Sequence, residues 1–169
     1  DIVEGLRWLG IDWDEGIVVG GPQGEYRQSR RLARYQEVAR QLVAAGWAYY
    51  DFATPEQLEA LRAAAAAEGR SPGYDGSLRI PEAEVAARLA AGEKAPIRFA
   101  VPRPAETVFV DAIRGELRFD HANVDDFVLL RSDGTPTYHL ASSVDDVDHA
   151  ITHIIRGEDL LPSTPKHLL

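Results

Sequence analysis

The sequence has no cysteine, which excludes a disulfide framework and any thiolate-held metal, and fits a reducing compartment. It has no run of about eighteen apolar residues, so no membrane-spanning helix is expected. Asp1 to Glu4 lack the basic stretch followed by an apolar one that marks a signal peptide. Ile2 instead falls directly into a helical pattern, which suggests a sequence that begins inside a longer protein. No repeat of fixed period appears. Positive charge is in deficit: at a net charge of −9, any contact with nucleic acid must rest on local arginines and not on the surface as a whole. What is present is ordinary for a folded chain. The hydrophobic fraction of 45% is too high for disorder, and 169 residues suffice for one domain or two small ones.

Ile2, Val3, Leu6 and Leu9 share a helical face, with Gly10 as a stop, and the four glycines of Gly16 to Gly24 make a loop. That loop has neither phosphate-binding glycine spacing. Ser29 is placed to cap a helix over 30–45 whose stripe is Leu32, Tyr35, Val38, Ala39 and Leu42, closed by Gly46. Trp47 to Phe52 read as a strand, and Thr54-Pro55 as the cap and first position of a helix to about Glu68. Residues 69–76 are turn-rich, and 81–91 form a helix stopped by Gly92. Ile97 to Val101, Thr107 to Val110, Glu116 to Phe119 and Phe127 to Leu130 are expected strands, the middle two joined through Arg114-Gly115. A helix follows from Tyr138 to about Val147. The β-branched run Ile151 to Ile155 reads as a buried strand, and Ser163-Thr164-Pro165 starts a last helix. Residues 1–22 and 127–169 thus carry the rhythm of an α/β sheet. Residues 23–126 form an α+β insertion between them.

The chemistry concentrates near the end. Arg156, Glu158 and Asp159 stand just past the expected strand, where α/β sheets bind ligands, and an arginine there can grip a carboxylate or phosphate with two prongs. Tyr138 could bring a hydroxyl to the same pocket. The bland alternative is a solvated Arg-Gly-Glu-Asp turn. Asp145, Asp146, Asp148, His149 and His153 could hold a divalent cation or simply form a solvated helix face.

Four separated stretches, in order, carry a resemblance. They are Leu6-Arg-Trp-Leu-Gly-Ile-Asp-Trp-Asp-Glu-Gly16; Tyr26-Arg-Gln-Ser29; Ser132-Asp-Gly-Thr-Pro-Thr-Tyr138 with Asp145-Asp146; and Ile155-Arg-Gly-Glu-Asp159 with Ser163-Thr-Pro165. Together they resemble a bacterial glutamyl-tRNA synthetase, a class I aminoacyl-tRNA synthetase. The resemblance implies a partial Rossmann-like (HUP-type) nucleotide-binding fold interrupted by a tRNA-acceptor-binding insertion. It implies ATP with Mg2+, L-glutamate and the acceptor stem of tRNA-Glu as partners, and a monomeric, cytoplasmic parent. Arg156 would pair with the side-chain carboxylate of glutamate, Tyr138 would line that pocket and Ser142 would face it. Glu158 and Asp159 would lie near the nucleotide and the tRNA terminus. Candidates for tRNA contact are Arg27, Arg30, Arg34, Arg98 and Arg114, with Arg31, Arg62, Arg70, Arg79 and Arg103 as further basic positions. The alternative for the helix arginines is charge balance with Glu37 and other acids.

The family's HIGH-type and KMSKS-type motifs are not in the sequence. No catalytic residue is therefore expected within it, and adenylate formation is not expected from this chain alone. Some relatives hold zinc at positions that here read Asp51, Ala53, Tyr74 and Leu78, a donor set that does not make a tetrahedral zinc site. Two alternatives stay open: the shorter paralogue that glutamylates a queuosine-modified tRNA, and a non-catalytic module that binds tRNA acceptor stems.

Overall fold

The computed structural model describes residues 2–69 and 73–169. Among the described residues six α-helices and five strands follow in the order α1 (Ile2–Trp8), α2 (Leu32–Ala44), β1 (Ala48–Tyr50), α3 (Pro55–Ala67), α4 (Glu82–Ala90), β2 (Ile97–Phe99), β3 (Glu106–Asp111), β4 (Gly115–Asp120), β5 (Val128–Leu130), α5 (Tyr138–Asp148) and α6 (Thr164–Leu168). None of the described helices is long and apolar enough to cross a membrane.

Helix α2 follows its apolar spacing: Tyr35 and Ala39, four residues apart, are fully buried. Gly46, at φ 80°, closes it, its N–H donating to Val43 O at 3.0 Å while the Trp47 N–H reaches Leu42 O at 2.9 Å. That paired closure needs a left-handed residue, which glycine supplies without steric cost. The start differs from the expectation. Ser29 lies in a short 3-10 turn, Gln28–Arg30, and α2 begins after Arg31, whose side chain makes no cap. Arg31 is instead drawn across to α5, where it pairs with Asp145 at 3.0 Å and Asp148 at 2.5 Å. The Thr54 cap is as read: its hydroxyl accepts from the Gln57 N–H, and the Gln57 side chain returns the bond.

Strands β1, β2 and β5 form one antiparallel sheet with β2 in the middle, and β3 and β4 form a separate hairpin. The core lies between the three-stranded sheet and helices α2 and α5. Tyr35 and Ala39 of α2 and Ile97 and Phe99 of β2 meet Leu129 of β5 and Leu140, Ala141 and Val144 of α5, with Phe127 just ahead of β5. Phe99 and Phe127 stack with ring centres 5.4 Å apart. Each of the larger aliphatic and phenyl side chains contributes roughly 1.5–3 kcal/mol on burial, so this cluster fixes α5 against the sheet.

A carboxylate is buried beside that core. Asp126 has no exposed surface. It accepts from Tyr49 Oη and Arg79 Nη2, both at 2.9 Å, from Arg103 Nη1 at 2.8 Å, and from the Val101 N–H at 3.1 Å. Burial, then the charge of Asp126, pushes the Tyr49 phenol well above its usual range.

Two expectations fail around α5. The run Ile151 to Ile155 is not a strand, and it is not buried: Ile155 is 99% exposed. The Ile151 N–H is spent on Asp146 O at 2.8 Å in closing α5, and no described strand lies alongside to form a ladder. β-branched composition alone cannot make a strand without a partner. The sheet that β5 joins is antiparallel, so no parallel-type strand precedes Arg156 among the described residues.

Candidate functional site

Arg156 lines a cleft of about 550 Å³, within the range of small-molecule sites. One wall is α5, through Ser143, Asp146 and Val147; another is the end of the β3–β4 hairpin, through Phe109, Val110, Asp111 and Ala112. The irregular segment from Thr152 to Arg156 forms the third, and Leu161 with Thr164, His167 and Leu168 closes the far side. The guanidinium is held from α6, with Arg156 Nη1 donating to Thr164 Oγ1 at 3.3 Å and Nη2 lying 3.4 Å from His167 Nδ1.

Burial shifts two of the titratable groups that line the cleft. Burial pushes the Asp146 carboxyl above its usual range, the charge of Arg156 opposes that, and Asp145 adds to it. Burial pushes the His167 imidazole down to about 4, helped by the nearby Arg156 and His139. His139 is also lowered, first by burial and then by Lys166, against a smaller upward pull from Asp125. His167 is therefore neutral at pH 7 and can accept a hydrogen bond.

Tyr138, the first residue of α5, is half exposed and lies on the other side of His167, with ring centres 5.1 Å apart. Arg156 and Tyr138 thus flank one imidazole. Ser142, one turn beyond Tyr138, is partly buried, but Ser143 is the serine that lines the cleft, its hydroxyl donating to His139 O at 2.8 Å. Glu158 turns outward to form an ion pair with Arg114 at 2.8 Å, which ties the hairpin turn to the segment after Arg156. Asp159 folds back over Gly157, where any β-carbon would collide with its carboxylate.

Sequence reasoning missed His167, Thr164 and Asp146 as cleft residues. A signal existed for the first two: Thr164 and His167 stand three apart in the helix that Ser163-Thr-Pro165 opens, which puts them on one face. Asp146 was singled out as a possible metal ligand only. Among the described residues no group of three or more acidic or histidine side chains is arranged to hold a metal. The acids of α5 meet arginines of α2 instead. Arg34 grips Asp148 with two prongs at 2.9 and 2.8 Å, and Arg31 Nη1 lies 3.0 Å from His149 Nε2.

The basic candidates divide. Arg27 and Arg30 are exposed and share Glu25, at 3.8 and 3.1 Å. Arg114 has its exposed partner Glu158. Arg34 is held by Asp148, and its expected partner Glu37 lies further off at 3.7 Å. Arg98 is largely buried, pairing with Asp51 at 2.5 Å and donating to the Asp126 backbone carbonyl at 2.8 Å, so it is part of the framework and not a surface for phosphate. Arg79 and Arg103 are committed to Asp126 in the same way. Arg70 lies outside the described residues. At the four positions considered for zinc, Asp51 is engaged by Arg98, accepts from the Ala53 N–H at 3.0 Å and from Tyr74 Oη at 3.4 Å.

The fold is that of an α/β protein with small sheets and a cleft that Arg156 shares with Asp111 and Asp146. The family model for tRNA synthetases class I (E and Q), catalytic domain, matches residues 1–169, and the chain belongs to that family. Glutamate--tRNA ligase 2 of Rubrobacter xylanophilus is 50% identical over 166 residues, and glutamate--tRNA ligase of Marinobacter nauticus is 51% identical over 169, covering 97% and 100% of this chain. Among solved structures, a glutamate tRNA ligase from Elizabethkingia meningosepticum, in complex with its amino acid, superposes with a TM-score of 0.86 at 38% identity over 99% of the chain. The chain spans about a third of the length of these relatives, 34% of the two curated proteins and 35% of the solved one.

Proposed function

We propose that this chain supplies the amino-acid pocket and an acceptor-end platform of a glutamate–tRNA ligase. The observation that carries the reading is the state of Arg156. It lines an open cleft, its guanidinium bonds go to the neutral acceptors Thr164 and His167, and no described carboxylate forms an ion pair with it. A cation so placed is complementary to an acidic ligand. Relatives named for glutamate give that ligand its identity.

In this reading Arg156 binds the side-chain carboxylate of glutamate, while Tyr138, behind His167, and Ser142, next to the cleft-lining Ser143, stand at the margin of the pocket. The α-carboxylate of glutamate attacks the α-phosphorus of ATP, pyrophosphate leaves, and glutamyl-adenylate forms. A hydroxyl of the terminal ribose of tRNA-Glu then attacks the acyl carbon, and AMP leaves. This chain's part is binding and orientation. The residues that stabilise the ATP phosphates, and the Mg2+ that accompanies ATP, belong outside it, and no zinc is expected. Residues 1–22 and 127–169 are assigned to a Rossmann-like (HUP-type) nucleotide-binding domain, and 23–126 to the insertion that receives the acceptor stem. Glu158 and Asp159 would lie toward the nucleotide and the tRNA terminus. Arg27, Arg30 and Arg114 remain candidates for tRNA phosphates, since their present partners, the half-buried Glu25 and the exposed Glu158, are solvent-accessible carboxylates that a phosphate can replace. The parent is expected to be a monomer of the cytoplasm.

The test is Arg156→Ala in the full-length protein. Removing one partner of an enclosed charge pair costs about 2–5 kcal/mol, so kcat/KM for glutamate should fall roughly 30-fold or more. Unchanged glutamate kinetics would remove the assignment.

A further inference from the structure

An arginine side chain only donates, so where Arg156 Nη2 faces His167 Nδ1 at 3.4 Å, the imidazole nitrogen must be the acceptor. A neutral imidazole has one donor and one acceptor. The proton of His167 then sits on Nε2, which faces His139 Nδ1 at 3.3 Å. His139 Nδ1 must accept in turn, which places its own proton on Nε2. One contact with Arg156 thus sets the tautomer of two histidines in a row.

The ring that receives Arg156 is also fixed in place. Tyr138 packs on it at 5.1 Å with the planes inclined by 57°, and His139 meets it edge-on at 5.4 Å. Thr164, one turn earlier on α6, takes Nη1 of the same guanidinium. Of the five N–H donors that a guanidinium carries, these contacts use two, both on α6, and the other three have no hydrogen-bond partner among the described residues.

We infer that His167 is a positioning residue: its neutral imidazole, wedged between Tyr138 and Arg156, holds the guanidinium so that its free donors face an acidic ligand in the cleft. This rests on the reading of Arg156 as the group that binds the substrate carboxylate. A cationic imidazole could not play this part, because it would turn a proton toward a group that has no acceptor.

The test uses the full-length protein and two readouts. The first is the imidazole nitrogen NMR spectrum of His167 at pH 7, in wild type and in Arg156→Ala. Wild type should show an unprotonated Nδ1 and a protonated Nε2, with that bias lost in the variant. A cationic ring, or a proton on Nδ1, overturns the proposal. The second is glutamate affinity in His167→Leu and His167→Gln. Leucine cannot accept, and should weaken binding about tenfold. Glutamine can accept through Oε1, and should recover most of the loss. Equal affinity in His167→Leu and wild type overturns the proposal, even where Arg156→Ala shows the expected loss. Should His167→Leu fail to fold, the wild-type spectrum and the glutamine variant still decide. If Arg156→Ala itself binds glutamate as wild type does, the substrate reading falls and this assignment with it, whereas failure of the His167 arm alone leaves the substrate reading intact.

Discussion

Two regions of this molecule handle arginine in opposite ways. Around Asp126 and Asp51, three guanidinium groups, Arg79, Arg98 and Arg103, each pair with a buried carboxylate at 2.5–2.9 Å. In the cleft, Arg156 meets a threonine hydroxyl and an imidazole, at 3.3 and 3.4 Å. The first arrangement leaves the charges little to gain from a ligand and locks the loop after α3, the sheet and the segment before β5 together. The second leaves positive charge with unused donors beside a cavity. Saturated arginines build the framework here, whereas the arginine in the cleft keeps donors for the proposed ligand.

The contrast should be sharpest in stability. Asp126→Ala strands two guanidinium groups against a buried surface and should cost about 3–5 kcal/mol in urea unfolding, whereas Arg156→Ala, which leaves no carboxylate orphaned, should cost under about 1 kcal/mol. Equal losses would erase the distinction. Arg31→Ala lies between. Its partners Asp145 and Asp148 are only partly buried, so a loss of about 2 kcal/mol is expected in the same measurement.

Acid should act on the cleft before the framework. The His167 pKa is lowered in the fold to about 4, below the unfolded value near 6.5. The unfolded chain therefore binds the proton first, and stability falls as the pH drops from about 6.5 toward 4. His139, shifted the same way, adds to the fall. With its ring about half buried, His167 should account for about 1–2 kcal/mol of the decline after solvent screening. Urea midpoints between pH 7 and 4 should flatten in His167→Gln; an identical slope would contradict this. Asp148 behaves differently. Arg34 holds its carboxyl below the usual range, against a smaller opposing effect of burial. Its contribution is present above about pH 3.8 and disappears only as the pH falls through its lower folded value.

The smallest effect concerns helix ends. Helices α2 and α5 close with the same pair of backbone bonds, but α2 uses Gly46 at φ 80° and α5 uses Ala150 at φ 54°. Alanine is strained there, so Ala150→Gly should stabilise the chain by about 1 kcal/mol, read as a rise in Tm.

What could be read in the sequence follows the range of the forces involved. The Thr54-Pro55 cap, the Gly46 and Gly92 stops and the hairpin through Arg114-Gly115 depend on neighbours within a few residues, and each appears as expected. Ser29 also carried a local cap signal, but that signal was overridden by Arg31 reaching across to acids more than a hundred residues away. Ile151 to Ile155 has the composition of a buried strand, yet strand formation is decided by a partner that composition does not name. Asp126 gave no sign of its role, because its side-chain partners lie 23 to 77 positions away. Arg156 and Tyr138 were singled out by resemblance more than by pattern; that they flank His167 required the fold of α5 against α6.

The central claim is that Arg156 selects an acidic side chain. Binding isotherms of L-glutamate and L-glutamine to the full-length protein, in wild type and Arg156→Ala, test it most directly. The account predicts that wild type binds glutamate at least tenfold more tightly than glutamine and that this preference disappears in the variant. A preference that survives the loss of Arg156 would contradict it.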